Sequence, residues 1–190
     1  MKVVILGGDG TGKTSVIKKI KEYRPDWLFH KQPDYESETG KQILDYLSGE
    51  KDLSILETFD LYAKNRSDYI SKGLIDDSKI NIIDRWTYCN IAYQLGRYFK
   101  CDFKDVENKA VFQILEEYMF KAEERLNIPE ADYIILLDKR YKIGDDIHEQ
   151  DKVLQDFVLE YYKYIMPDLI PTKTTIDGIA EEIIEFIEEL

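Results

Sequence analysis

A three-layer α/β fold, with a parallel sheet of five strands covered by helices on both faces, is predicted by three features of the sequence. Short apolar runs alternate with longer amphipathic stretches, the pattern of strand–helix–strand units joined by right-handed crossovers. The first run, Val3-Val4-Ile5-Leu6, leads straight into a glycine-rich segment, Gly7-Gly8-Asp9-Gly10-Thr11-Gly12-Lys13-Thr14. The chain has 190 residues, 44% of them hydrophobic, which suffices for one domain with a full core.

The elements follow in chain order. Lys2–Leu6 is apolar throughout its centre, as a strand buried on both faces requires. The first helix begins at the glycine-rich segment, turns Val16, Ile17 and Ile20 inward, and stops before Pro25, because the residue preceding a proline is steered away from helical backbone. Trp27–Lys31 is a shorter strand candidate, and apolar periodicity then predicts helices over Glu38–Leu47 and Leu53–Ser71. The run Ile80–Asp84 is a second buried strand, followed by a helix over Thr87–Phe99 and another over Lys104–Leu126. Tyr133–Asp138 is the next strand. A helix over His148–Ile165, a weak fifth strand at Lys173–Ile176 and a last helix over Ile179–Leu190 complete the chain. With no repeat, low-complexity tract or linker in view, residues 1–190 read as a single domain.

The formal net charge of −12 disfavours nonspecific binding to nucleic acid or to an anionic membrane, since no basic surplus exists to displace counterions. Glu181, Glu182, Glu185, Glu188 and Glu189 read as a solvated helix face. No apolar run approaches the ~20 residues that span a bilayer, and the first strand opens too early for a signal peptide. Cys89 and Cys101 are too few for a disulfide framework, and His30 and His148 stand alone, suited to solvent-exposed or capping positions. A cytoplasmic location is expected.

The glycine-rich segment fits G-x-x-x-x-G-K-[ST] at every fixed position and lies between a strand and a helix, where the motif has mechanical meaning. Its amides and the helix N-terminus can cradle phosphate oxygens. Gly7, Gly8, Asp9, Gly10, Thr11, Gly12, Lys13, Thr14 and Ser15 are therefore the candidate residues for binding a nucleoside triphosphate, in a three-layer P-loop NTPase fold. Lys13 can reach the β- and γ-phosphates and Thr14 can hold Mg²⁺. Asp84-Arg85 ends the strand Asn81-Ile82-Ile83, placing a carboxylate as a second Mg²⁺-facing element and a planar cation suited to phosphate at the same sheet edge.

From Asp84 to Gln94 the sequence reads D-R-W-T-Y-C-N-I-A-Y-Q, which resembles the thymidylate kinase signature D-R-aromatic-x-x-Ser-x-x-Ala-aromatic-Gln. Further segments match that family in order. They are Gly7–Thr14 with an acidic residue at Asp9, Leu61-Tyr62-Ala63-Lys64-Asn65-Arg66, Asn127–Asp132 leading into a strand, and Thr175-Ile176-Asp177 before an acidic helix. The resemblance implies phosphoryl transfer from ATP to dTMP, in dTTP biosynthesis, by a homodimer. Carried over by position, Arg85 binds the acceptor phosphate, Asp84 supports Mg²⁺ and that arginine, and Asp9 faces the acceptor sugar and phosphate. Tyr62 stacks on the base, Arg66 reaches its edge, Asn90 and Gln94 project into the same pocket, Tyr93 packs near the sugar C2′, and Pro33 belongs to the acceptor-side loop. The helices at Leu53–Ser71 and Thr87–Phe99 are candidates for the dimer face.

Two departures from the family stand out. Tyr35 occupies the acceptor-loop position where an arginine is expected. The lid, at about residues 139–148, has an acidic later half and carries Ile147 near the position of a lid arginine, leaving Arg140 as the catalytic cation with Lys142 and Lys139 as substitutes. These departures keep two alternatives open: a related kinase for another deoxynucleoside monophosphate or a nucleoside, and a nucleotide-binding protein with weak catalysis.

Overall fold

The computed structural model describes residues 1–139 and 151–190. In chain order the elements are β1 (Lys2–Gly7), α1 (Lys13–Tyr23), β2 (Leu28–Lys31), α2 (Glu38–Leu47), α3 (Ile55–Ser71), β3 (Asn81–Asp84), α4 (Thr87–Phe99), a 3₁₀ turn (Phe103–Asp105), α5 (Ala110–Arg125), β4 (Tyr133–Leu137), α6 (Lys152–Tyr164) and α7 (Ile176–Glu188). The strands run parallel in the order β2-β3-β1-β4, with Val4 beside Ile83 and Gly7 beside Leu137.

Alternation along β1 feeds both faces of the sheet. Val4 and Leu6 enter a core built with Phe59, Phe112, Phe157 and other residues of α3 to α6. Val3 and Ile5 enter a second core with Val16 and Ile20 of α1 and Ile179 and Ile183 of α7. Helices thus cover both faces, as the alternation of elements predicts.

Among the described residues the sheet has four strands rather than five. Lys173–Ile176 is not a strand, because the Thr175 side chain accepts from the Gly178 amide and starts α7. The outer edge of β4 meets the chain at Leu169 instead, through a single parallel bridge to Ile135 and a Leu136 N–H bond to the Leu169 carbonyl. Pro167 and Pro171 flank that bridge, and a residue without an N–H cannot extend a ladder.

Other boundaries moved for local reasons. Helix α3 starts at Ile55 rather than Leu53 because Ser54 and Glu57 form a reciprocal capping box. The expected helix from Lys104 begins only at Ala110, since Phe103 and Val106 are buried by the preceding 3₁₀ turn. The start of the expected His148–Ile165 helix, including His148, lies outside the described residues. His30 is buried rather than exposed, held between the Tyr69 hydroxyl at 2.9 Å and Asn81 Oδ1 at 3.0 Å.

Candidate active site

The P-loop forms where the β1 backbone leaves the sheet. Gly10 and Gly12 have φ of 79° and 80°, a region that side-chain-bearing residues rarely adopt, and α1 starts directly after Gly12 with no side chain capping its first amides. Those uncapped N–H groups suit an anion. Thr11 is buried, donating to the Gly8 carbonyl at 2.9 Å, whereas Thr14 and Ser15 are exposed on the first turn of α1.

Lys13 is buried and pairs with Asp84 at 2.9 Å, linking the loop to the carboxyl end of β3. Burial pushes the Lys13 ammonium below its ordinary pKa and the Arg85 charge adds to this, while Asp84 opposes both. Thr14 and Asp84 together offer one hydroxyl and one carboxylate, oxygen donors that fit a hard ion such as Mg²⁺ that keeps several of its waters.

Arg85 takes φ 68°, a left-handed turn at the end of β3. Its Nη2 donates to Asp9 Oδ1 at 2.8 Å. Tyr93 Oη and Gln155 Nε2 donate to Asp9 Oδ2 at 2.9 and 3.0 Å. Burial alone would push the Asp9 carboxyl up, but the Arg85 charge and these three donors hold it below the usual aspartate value.

Beside Asp9 and Arg85 opens a cavity of about 750 Å³, within the range of small-ligand sites. The eight positions singled out for the acceptor nucleotide, Asp9, Pro33, Tyr62, Arg66, Arg85, Asn90, Tyr93 and Gln94, all line it. Helix α4 supplies Asn90, Tyr93 and Gln94 from one stripe, while β2 and the loop after it supply Gln32, Pro33 and Tyr35. Asn65 of α3 anchors that loop, donating to the Asp34 carbonyl and to the Ser37 and Thr39 hydroxyls and accepting from the Asp34 amide at 2.9 Å. Among the described residues, Asn90 Oδ1, Arg97 Nε and both amide atoms of Gln32 are buried without a hydrogen-bond partner, and all three side chains line the cavity. Such groups mark a surface built for a polar ligand.

Several lining residues escaped the sequence reading. Arg97 lies seven residues after Asn90 and four after Tyr93, on the same stripe of α4, so helical spacing alone could have found it. Its guanidinium sits 6.0 Å from the Tyr93 ring centre, and Arg85 lies 5.3 Å from the same ring. Lys31 also lines the cavity, so two further cations join Arg66 and Arg85 there. Glu123 accepts from Arg66 and, at 2.5 Å, from Thr87, and this buried group gave no sequence signal. Arg140, Lys142 and Ile147 lie outside the described residues. Lys139 donates to the Thr172 carbonyl at 3.2 Å, turning toward the segment before α7. Helix α4 is buried from Cys89 to Gly96, packed by α3, α5 and α6.

The comparisons with known proteins agree with one another. The family model for thymidylate kinase matches residues 5–164. A thymidylate kinase of Mycoplasma genitalium is 29% identical over 202 aligned positions, spanning 99% of this chain and 92% of that protein. One from Leptospira borgpetersenii is 30% identical over 102 positions, spanning 50% of this chain and only 49% of its own length. The solved structure of thymidylate kinase from Candida albicans superimposes with a TM-score of 0.73 at 24% identity, covering 98% of this chain and 90% of that one. That of Ehrlichia chaffeensis gives 0.69 at 18% identity over 99% and 98%. At these identities the structures show a shared fold.

Proposed function

Because this chain belongs to the thymidylate kinase family, we propose that it phosphorylates dTMP to dTDP with ATP as donor and Mg²⁺ as the supporting ion, as a single-domain cytoplasmic enzyme. The carrying observation is that the eight acceptor positions line one cavity whose edge, at Asp9, is part of the P-loop itself. Two nucleotides can therefore meet end to end, phosphate toward phosphate.

In this reading Gly7 to Ser15 hold the ATP phosphates and Lys13 stabilises the charge that develops on the transferred group. Thr14 and Asp84 would hold the metal, which when bound draws charge from the phosphate oxygens. Arg85 binds the acceptor phosphate, and Asp9 keeps the guanidinium facing it. An oxygen of that phosphate attacks the γ-phosphorus, a new P–O bond forms, and the bond to ADP breaks. The chemistry asks little of the protein beyond alignment and charge neutralisation. Tyr62 offers a ring face to the base. Arg66 and Asn90 hold unsatisfied buried polar atoms, Nε and Oδ1, for the base edge. Tyr93 packs at C2′ and disfavours a ribose hydroxyl, and Arg140 supplies the lid cation.

No described helix is long and apolar enough to cross a membrane, which agrees with the proposed location. A homodimer is part of the same proposal. Side-by-side turnover of dTMP, dUMP, dGMP, dCMP and thymidine with ATP tests the substrate. Preference for dTMP at about 1 per second or more is expected; equal use of the others, or turnover far below that, overturns it.

A further inference from the structure

We propose that Gln155 is a positioning residue for the acceptor nucleotide, one that sets the direction of the Asp9 carboxylate and thereby of the Arg85 guanidinium. The role rests on the reading of Asp9 and Arg85 as acceptor contacts given above.

Gln155 comes from the first turn of α6, 146 residues from Asp9 in sequence. Its side chain, 2% exposed, grips Asp9 at two points: Oε1 accepts from the Asp9 amide at 3.1 Å and Nε2 donates to Asp9 Oδ2 at 3.0 Å. One residue is thereby fixed at both its backbone and its side chain. A neutral amide suits this task, since it carries both an acceptor and a donor. A carboxylate could accept from the N–H but would repel Asp9, and an ammonium or guanidinium could donate but not accept. With Oδ2 already taking Gln155 and Tyr93, Oδ1 is the oxygen turned to Arg85. The bare backbone at Gly8 leaves room for the approach, since a Cβ there would stand a tight 3.1 Å from Gln155 Oε1.

The grip is rigid at its other end. Asp151 caps α6 through the Leu154 amide at 3.0 Å. Leu154 and Phe157 pack so closely on Gly96 of α4 that a Cβ at Gly96 would meet Leu154 Cδ1 at 2.7 Å. The same α4 carries Tyr93. Among the described residues, the donors to Oδ2 therefore come from two helices locked to one another, and both aim the carboxylate.

Steady-state kinetics of Gln155→Leu, with dTMP and ATP varied separately, tests the role. A residue that merely ties α6 to the loop would disturb both substrates alike. A positioning role predicts a dTMP KM raised about tenfold with the ATP KM within about threefold, as for loss of a hydrogen bond to a charged group. It also predicts that Gln155→Leu adds little once Asp9→Ala is present, since the carboxylate through which it acts is gone. Gln155→Asn keeps the amide but falls a methylene short of both bonds, and it is read the same way should the leucine variant not fold. Equal shifts in both KM values, or additive effects with Asp9→Ala, overturn the role of Gln155. A wild-type protein that turns over no dTMP overturns the proposed reaction and this role with it.

Discussion

Asp9 and Arg85 meet at 2.8 Å across the top of the sheet, joining the P-loop after β1 to the turn after β3. Arg85 reaches this position through a left-handed backbone conformation that costs a non-glycine residue on the order of 1 kcal/mol or more. The neighbouring strands hold it there, because Ile5 and Asp84 are in register. The pair places the P-loop carboxylate against a cation that lines the cavity, so the donor and acceptor halves of the site share this ionic contact.

Tyr62 lines the cavity with little exposure, and its proposed work is done by the ring face rather than the hydroxyl. Tyr62→Phe is expected to leave the dTMP KM within about twofold. Tyr62→Ala should raise it about tenfold or more, the usual worth of an aromatic face under a base. Equal effects of the two substitutions would show that the hydroxyl, not the ring, is used.

Lys13 is the P-loop's buried cation, paired with Asp84. Lys13→Ala should lower kcat roughly 10²-fold or more, the loss typical of a removed oxyanion donor. Single-turnover kinetics at saturating ATP and dTMP separates this from weakened binding. A variant that regains wild-type kcat at high ATP contradicts the assignment.

Glu123 is buried with Arg66 and Thr87 as its partners. Removing one member of a buried ion pair strands the other charge, at a cost of about 3 kcal/mol or more. Glu123→Ala should therefore shift the urea midpoint strongly downward. It should also raise the dTMP KM, because Arg66 lines the cavity. A midpoint within error of wild type would show that water or another group already satisfies Arg66.

Burial lowers the His30 pKa below its ordinary 6.5. The unfolded chain then takes up the proton first as pH falls, so folding stability is greatest above about pH 6.5 and declines as pH drops through the interval below it. Asn81 Oδ1 already accepts from the Asp76 amide, which suits the neutral tautomer with hydrogen on Nε2 and the Tyr69 hydroxyl donating to Nδ1. Melting temperatures at pH 7.5 and 5.5 should fall more for wild type than for His30→Gln. Parallel falls would locate the acid sensitivity elsewhere.

Where local chemistry decided an element, the sequence was enough. Helices α2 and α4 begin and end where periodicity placed them. The P-loop needed only its glycines, Lys13 and the preceding apolar run. The capping box Ser54–Glu57 was legible too and would have corrected the start of α3. The fifth strand failed because Thr175 is a better helix cap than a strand residue, and because prolines limit the β4 edge to one bridge. What could not be read were partners far apart in sequence. His30 finds Tyr69 and Asn81, Arg66 finds Glu123, and Asp9 finds Gln155, each across separations set by the fold. A lone histidine or glutamine carries no mark of the residue that will bury it.

Kinetics of Arg85→Ala, with dTMP and ATP titrated independently, bears most directly on the claim that the P-loop and the cavity form one two-nucleotide site. Loss of a charged group from a phosphate contact should lower kcat/KM for dTMP about 10²-fold or more. ATP affinity, measured by equilibrium titration without dTMP, should stay within about threefold. Equal losses for both nucleotides, or a dTMP dependence unchanged from wild type, would contradict the placement of the acceptor phosphate at Arg85.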